Sequence, residues 1–159
     1  MKTQQVNLYI FIIAFFIFFQ SCDPNKVYED NTKIPEGVWD RNNKISFNVE
    51  ITDTISPYNL YINIRNTGMY QMSNIYLFVT AKFPENTIYV DTVECILADE
   101  KGKWLGSGLG DIIDNQIPYR KNIKFPKSGT YIFTYEQGMR TQKLPFIMDV
   151  GLRVEKVEK

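Results

Sequence analysis

From Ser46 to the C-terminus, apolar and polar side chains alternate almost without interruption. Phe47, Val49 and Ile51 alternate with Asn48, Glu50 and Thr52, and Tyr58, Leu60, Ile62 and Ile64 with Asn59, Tyr61, Asn63 and Arg65. Ile75–Phe83, Tyr89–Ala98, Tyr119–Phe125, Tyr131–Tyr135 and Met148–Val154 repeat the pattern. Successive strand side chains point to opposite faces, so a period of two predicts strands with one buried and one wet face. Turn residues bound these runs at Asp53–Pro57, Asn66–Gly68, Pro84–Asn86, Lys101–Gly102 and Pro126–Gly129. About seven to eight short strands with no long 3.6-residue period predict an all-β fold. The architecture expected is an antiparallel two-sheet β-sandwich, immunoglobulin-like or jelly-roll-like. Glu136–Lys143 is the one segment between strands where a helical turn fits.

The N-terminus breaks this pattern. Leu8–Phe19 is an uncharged apolar run preceded by Lys2, shorter than the roughly 20 residues a spanning helix needs. It matches the apolar core of a secretory signal. Ser21-Cys22 follows, a small residue directly before a cysteine, as at a bacterial lipoprotein cleavage site. Residues 1–21 are therefore read as a cleaved lipoprotein signal and Cys22 as the acylated residue. Residues 22–35, polar and without a period, are read as a lipidated N-terminus and tether; extended, Asp23–Pro35 spans at most about 45 Å. Residues 36–159 remain for the sandwich. Acyl chains of palmitate length make attachment effectively permanent when two or three are present. The location expected is the cell envelope, on the outer membrane facing the periplasm.

Charge narrows the partners. The 159 residues carry 18 basic and 18 acidic side chains and no histidine. Near-neutrality argues against nucleic acid, whose affinity rests on neutralising phosphates. Without histidine the chain lacks the commonest general base and zinc ligand. No catalytic residue, cofactor or small-molecule substrate is expected, and the chain reads as a non-enzyme. Once Cys22 carries lipid, Cys95 has no intramolecular disulfide partner; apolar Val93 and Leu97 flank it at strand spacing, which predicts a buried thiol.

Three constellations remain. Gly102, Gly106, Gly108 and Gly110 lack phosphate-loop spacing and read as a close-packed loop crossing the sandwich. Asp99, Asp111 and Asp114 form a calcium candidate, weighed against solvated turn carboxylates because calcium takes six to eight oxygens. Tyr61, Tyr76 and Phe78 fall on the polar phase of their strands and Trp104 on a loop. Together they would make an aromatic platform for a sugar ring or a protein, unless a loop covers that face.

Long strings carry a resemblance. YNLYINIRNTGMYQMSNIYLFV (Tyr58–Val79), DTVECILADEKGKWLGSGLGDI (Asp91–Ile112) and GTYIFTYEQGMRTQKLPFIMDVGLRVEK (Gly129–Lys156) resemble the gliding-motility lipoprotein family GldH of Bacteroidota, in order and at matching spacing. The resemblance implies a membrane-anchored component of the gliding and type 9 secretion apparatus. Its partners would be other gliding-motility lipoproteins and secretion-machinery proteins, which it scaffolds or stabilises. It implies no catalytic or ligand residues. A carbohydrate-binding envelope lipoprotein using the aromatic face is the alternative.

Overall fold

Each alternating run pairs with another so that its apolar phase faces inward. A computed structural model describes residues 23–157. Its strands are β1 (Lys26–Lys33), β2 (Val38–Asp40), β3 (Ile45–Ile51), β4 (Tyr58–Thr67), β5 (Asn74–Lys82), β6 (Ile88–Ile96), β7 (Ile112–Ile123), β8 (Gly129–Gln137), β9 (Lys143–Pro145) and β10 (Ile147–Lys156). One four-stranded sheet has the order β1-β10-β4-β7 and the other β3-β8-β5-β6; β2 and β9 form a two-stranded ribbon. All pairings are antiparallel. The inner phases of the two large sheets, Leu60, Ile62 and Ile64 from one and Phe47, Val49, Ile75 and Leu77 from the other, are almost wholly buried in one core. This is the expected sandwich.

Three expectations are corrected. Lys26–Lys33, expected within a tether, is an edge strand in register with β10, from Tyr28 opposite Val154 to Lys33 opposite Asp149. The folded body thus begins near Lys26 rather than at residue 36. Strand β1 carries exposed side chains on both faces except half-buried Tyr28, so backbone pairing holds it and no hydrophobic period announces it. The helical turn expected over Glu136–Lys143 is absent: β8 runs to Gln137, the chain bends, and β9 starts at Lys143. Strands β2 and β9, three residues each, are too short to show a period.

The termini of the strands define two ends. Strands β1, β4, β6 and β8 begin, and β3, β5, β7 and β10 finish, at the end where the chain enters; loops 52–57, 83–87 and 124–128 close it. At the distal end lie segments 34–44, 67–73, 97–111 and 138–146. Aromatic rings brace the proximal end: Tyr58–Phe125, Phe125–Tyr131 and Phe83–Tyr131 centroids lie 5.1, 4.6 and 4.9 Å apart. Buried hydroxyls tie in the loops, Tyr58 donating to the Asp53 carbonyl at 2.6 Å and Tyr131 to that of Lys127 at 2.9 Å.

Candidate functional site

The outward phase of a strand is where a site can form, and the four aromatic candidates sit on different surfaces. Tyr76 and Phe78 lie together, exposed, on the outer face of β5. Tyr61 is on β4 in the opposite sheet, between Arg153 and Pro118. Trp104 bridges to Ala98 and packs partly against the core. A single platform of all four therefore does not form. Alternation reports which phase a residue occupies, not which sheet its strand joins.

The acidic candidates are likewise separate. Asp99 closes its own turn, its Oδ1 accepting from the Lys101 and Lys103 amides at 2.9 Å each. Asp114 is bound by Arg65 at 2.5 Å. Asp111 contributes its carbonyl, which accepts from the Gly68 amide at 2.7 Å. Among the described residues no group of three or more Asp, Glu, Cys or His side chains is placed to hold a metal ion. Cys95 is buried, and burial pushes its thiol up to about 12, which keeps it a poor nucleophile. Cys22 and residues 1–21 lie outside the described residues.

The glycine-rich loop crosses from one sheet to the other and packs against β7. A Cβ on Gly108 would stand 1.8 Å from the Ile112 carbonyl oxygen, and one on Gly106 2.5 Å from that of Asp114. Held there, the loop overhangs the outer face of the β1-β10-β4-β7 sheet and bounds a polar cradle of about 480 Å³. Asn31, Asn63, Arg65 and Asp149 line it from the sheet and Leu105 and Ser107 from the loop. Gly151 makes room in the middle row, because a Cβ there would lie 1.9 Å from Asn31 Oδ1. Across it the Asn63 amide donates to Asn31 Oδ1 at 3.2 Å.

The distal end carries exposed apolar side chains on several of its loops. The Thr67 amide donates to the Phe146 carbonyl at 3.1 Å and the Gly68 amide to Asp111, which ties three loops together. Beneath them, buried Asn115 donates to Asn66 Oδ1 at 2.9 Å and to the Ile64 carbonyl at 3.0 Å. On top, Leu109 is 94% exposed, Met69 66% and Leu105 60%, with Met72 and Ile112 also open. Beside Met72 a cavity of about 170 Å³ is lined by Tyr70, Leu144 and Phe146. Clustered exposed apolar groups mark interaction sites, whereas scattered ones are ordinary. Sequence reasoning missed this surface. Its signal was present: Met and Leu side chains within segments otherwise rich in turn residues, where polar groups are the norm.

Comparison with known proteins agrees with the resemblance seen in the sequence strings. Residues 26–154 match the family described as GldH lipoprotein. The chain is 37% identical over 157 residues to the gliding motility lipoprotein GldH homolog of Christiangramia forsetii, covering 94% of this chain and 95% of that protein. It is 30% identical over 156 residues to the gliding motility lipoprotein GldH of Flavobacterium johnsoniae, covering 94% and 96%. The matched span runs from the start of β1 into β10 and takes in both large sheets, so the protein belongs to the GldH lipoprotein family.

Proposed function

We propose that the protein is a non-enzymatic scaffold, acylated on Cys22 after removal of residues 1–21, that holds partner proteins of the gliding and type 9 secretion apparatus at the envelope. The observation that carries this reading is the apolar distal surface around Met69, Leu105 and Leu109. Thioether-rich and aliphatic groups on adaptable loops suit a protein partner, since methionine repacks readily against varied surfaces. Confinement to one membrane raises the effective concentration of two partners, so a modest interface suffices. The membrane assigned is the outer one, with the domain facing the periplasm and other gliding-motility lipoproteins and secretion components as partners. The test is deletion of the gene followed by envelope proteomics, with Leu109→Asp complementation alongside. Loss of partner components in the deletion, not restored by the Leu109 variant, is expected. Unchanged levels and assembly of those components would refute the reading.

A second reading, a carbohydrate-binding lipoprotein, is favoured by the polar cradle. Amides and charged groups converge there beside Tyr61, two residues from Asn63 on the same face of β4. Such an arrangement suits sugar hydroxyls and a stacking ring. Glycan-array binding lost in Tyr61→Ala would support it, and an array without binding would retire it.

A further inference from the structure

The position of β1 leaves almost no tether. The Asp23 carboxylate is held by the Arg153 guanidinium, and the Asn25 carbonyl accepts from the Lys156 amide at 2.8 Å. Two residues, Asp23 and Pro24, separate Cys22 from Asn25, a reach of at most about 10 Å over three Cα-to-Cα steps. A lipid on Cys22 therefore brings the proximal end of the sandwich, not a distant linker, down to the headgroups. The groups waiting at that end are unusual for a surface meant for water. Ile55 is 81% exposed, Val90 70% and Tyr89 59%. Behind Tyr89 and Val90 an apolar cleft of about 300 Å³ opens between the edges of β6 and β7, lined by Phe83, Tyr119 and Phe125 and flanked by Lys124.

Charge points the same way. The carboxylates of Asp23, Asp53, Glu85, Asp91 and Glu155 at this end are each paired with a lysine or arginine, and that of Glu50 accepts from the Thr130 hydroxyl at 2.6 Å. Lys82, Lys121 and Lys124 have no ion-pair partner among the described residues. Free cations beside exposed aliphatic and aromatic groups are the composition of an interfacial membrane contact. We infer that the proximal end is a second membrane-binding site, docking on anionic lipid through Ile55, Tyr89 and Val90 with Lys82, Lys121 and Lys124 over the headgroups. The occupant is the bilayer surface itself. Docking orients the body with its strands rising from the membrane. A ten-residue strand such as β4 is roughly 33 Å long, so the apolar distal loops are carried that far from the lipid, clear for a partner.

This inference rests on acylation at Cys22, and the experiment separates the two. The mature lipoprotein is purified with Ile55→Cys, Val90→Cys or Leu109→Cys and labelled with an environment-sensitive fluorophore; the buried Cys95 and thioether-blocked Cys22 do not compete. Each is reconstituted into vesicles of phosphatidylcholine and phosphatidylglycerol in equal parts, with a nitroxide-bearing lipid as quencher. Quenching at positions 55 and 90 at least about twofold greater than at 109 is expected for interfacial insertion, falling in Lys82→Glu/Lys121→Glu/Lys124→Glu. Equal quenching at all three positions, with the acyl mass present on Cys22 and the protein floating with vesicles, would overturn the docking and leave the anchor intact. A Cys22 without acyl mass would overturn the anchor itself and the docking with it.

Discussion

The carboxylate of Asp23 accepts a hydrogen bond from the guanidinium of Arg153, 130 residues along the chain. Arg153 also binds Glu29 at 2.8 Å and Glu155 at 2.5 Å, so one side chain, itself mostly covered, clamps the first strand and the segment that leads into it to the last strand. A strand with no buried apolar phase needs such a clamp, because an edge strand has neighbours on one side only.

Arg153→Ala is expected to loosen β1 rather than unfold the protein. The partners are part-exposed, and networks of this kind contribute on the order of 1 kcal/mol. Faster amide hydrogen exchange over residues 26–33, with the core strands unchanged, is the expected result. Unaltered exchange in β1 would show that backbone pairing holds it alone.

Gly151→Ala should cost more than its single methyl group suggests. The added Cβ would meet Asn31 Oδ1 at 1.9 Å and the Asp30 backbone oxygen at 2.6 Å, and a backbone atom of a paired strand cannot swing away. A loss of about 1–3 kcal/mol is expected, read as a lower denaturant midpoint. The same change would displace the Asn31 side chain that lines the polar cradle.

The buried amide pair at the distal end is a third test. Asn66 and Asn115 are 0% and 6% exposed, and removing one leaves the groups it served without partners. Asn115→Ala should cost about 1–3 kcal/mol and raise exchange in segments 67–73 and 105–112. A stability change without loop loosening would place the pair's role in the core alone.

Asp53 supplies a pH signature at the proximal end. Hydrogen bonds from Ser56, first from its hydroxyl at 2.7 Å and then its amide at 3.0 Å, and the Lys156 ammonium hold its carboxyl far below the ordinary 3.8. A pKa lowered by folding means the unfolded chain binds the proton first on acidification. The stabilisation is complete above the unfolded value near 3.8 and is lost as pH falls through the folded one. Asp53→Asn should therefore melt below wild type at neutral pH, with the gap closing below about pH 4. A gap constant through the acid range would refute this assignment.

Alternation by itself determined seven of the strands, β7 only from Tyr119 onward, most of their inward phases and the buried Cys95, because burying one face of a strand imposes a period of two. The all-β class was legible for the same reason. Tertiary structure alone decided that Tyr61 and Tyr76 lie on opposite sheets, that Arg65 takes Asp114, and that Lys26–Lys33 is a strand. Strand partnership depends on contacts between segments far apart in the chain, and an edge strand held by backbone hydrogen bonds leaves no side-chain pattern behind. The two end surfaces follow the same rule: Met69 and Leu109, or Ile55 and Val90, come to one end of the molecule only once the strands that carry their loops and termini have paired.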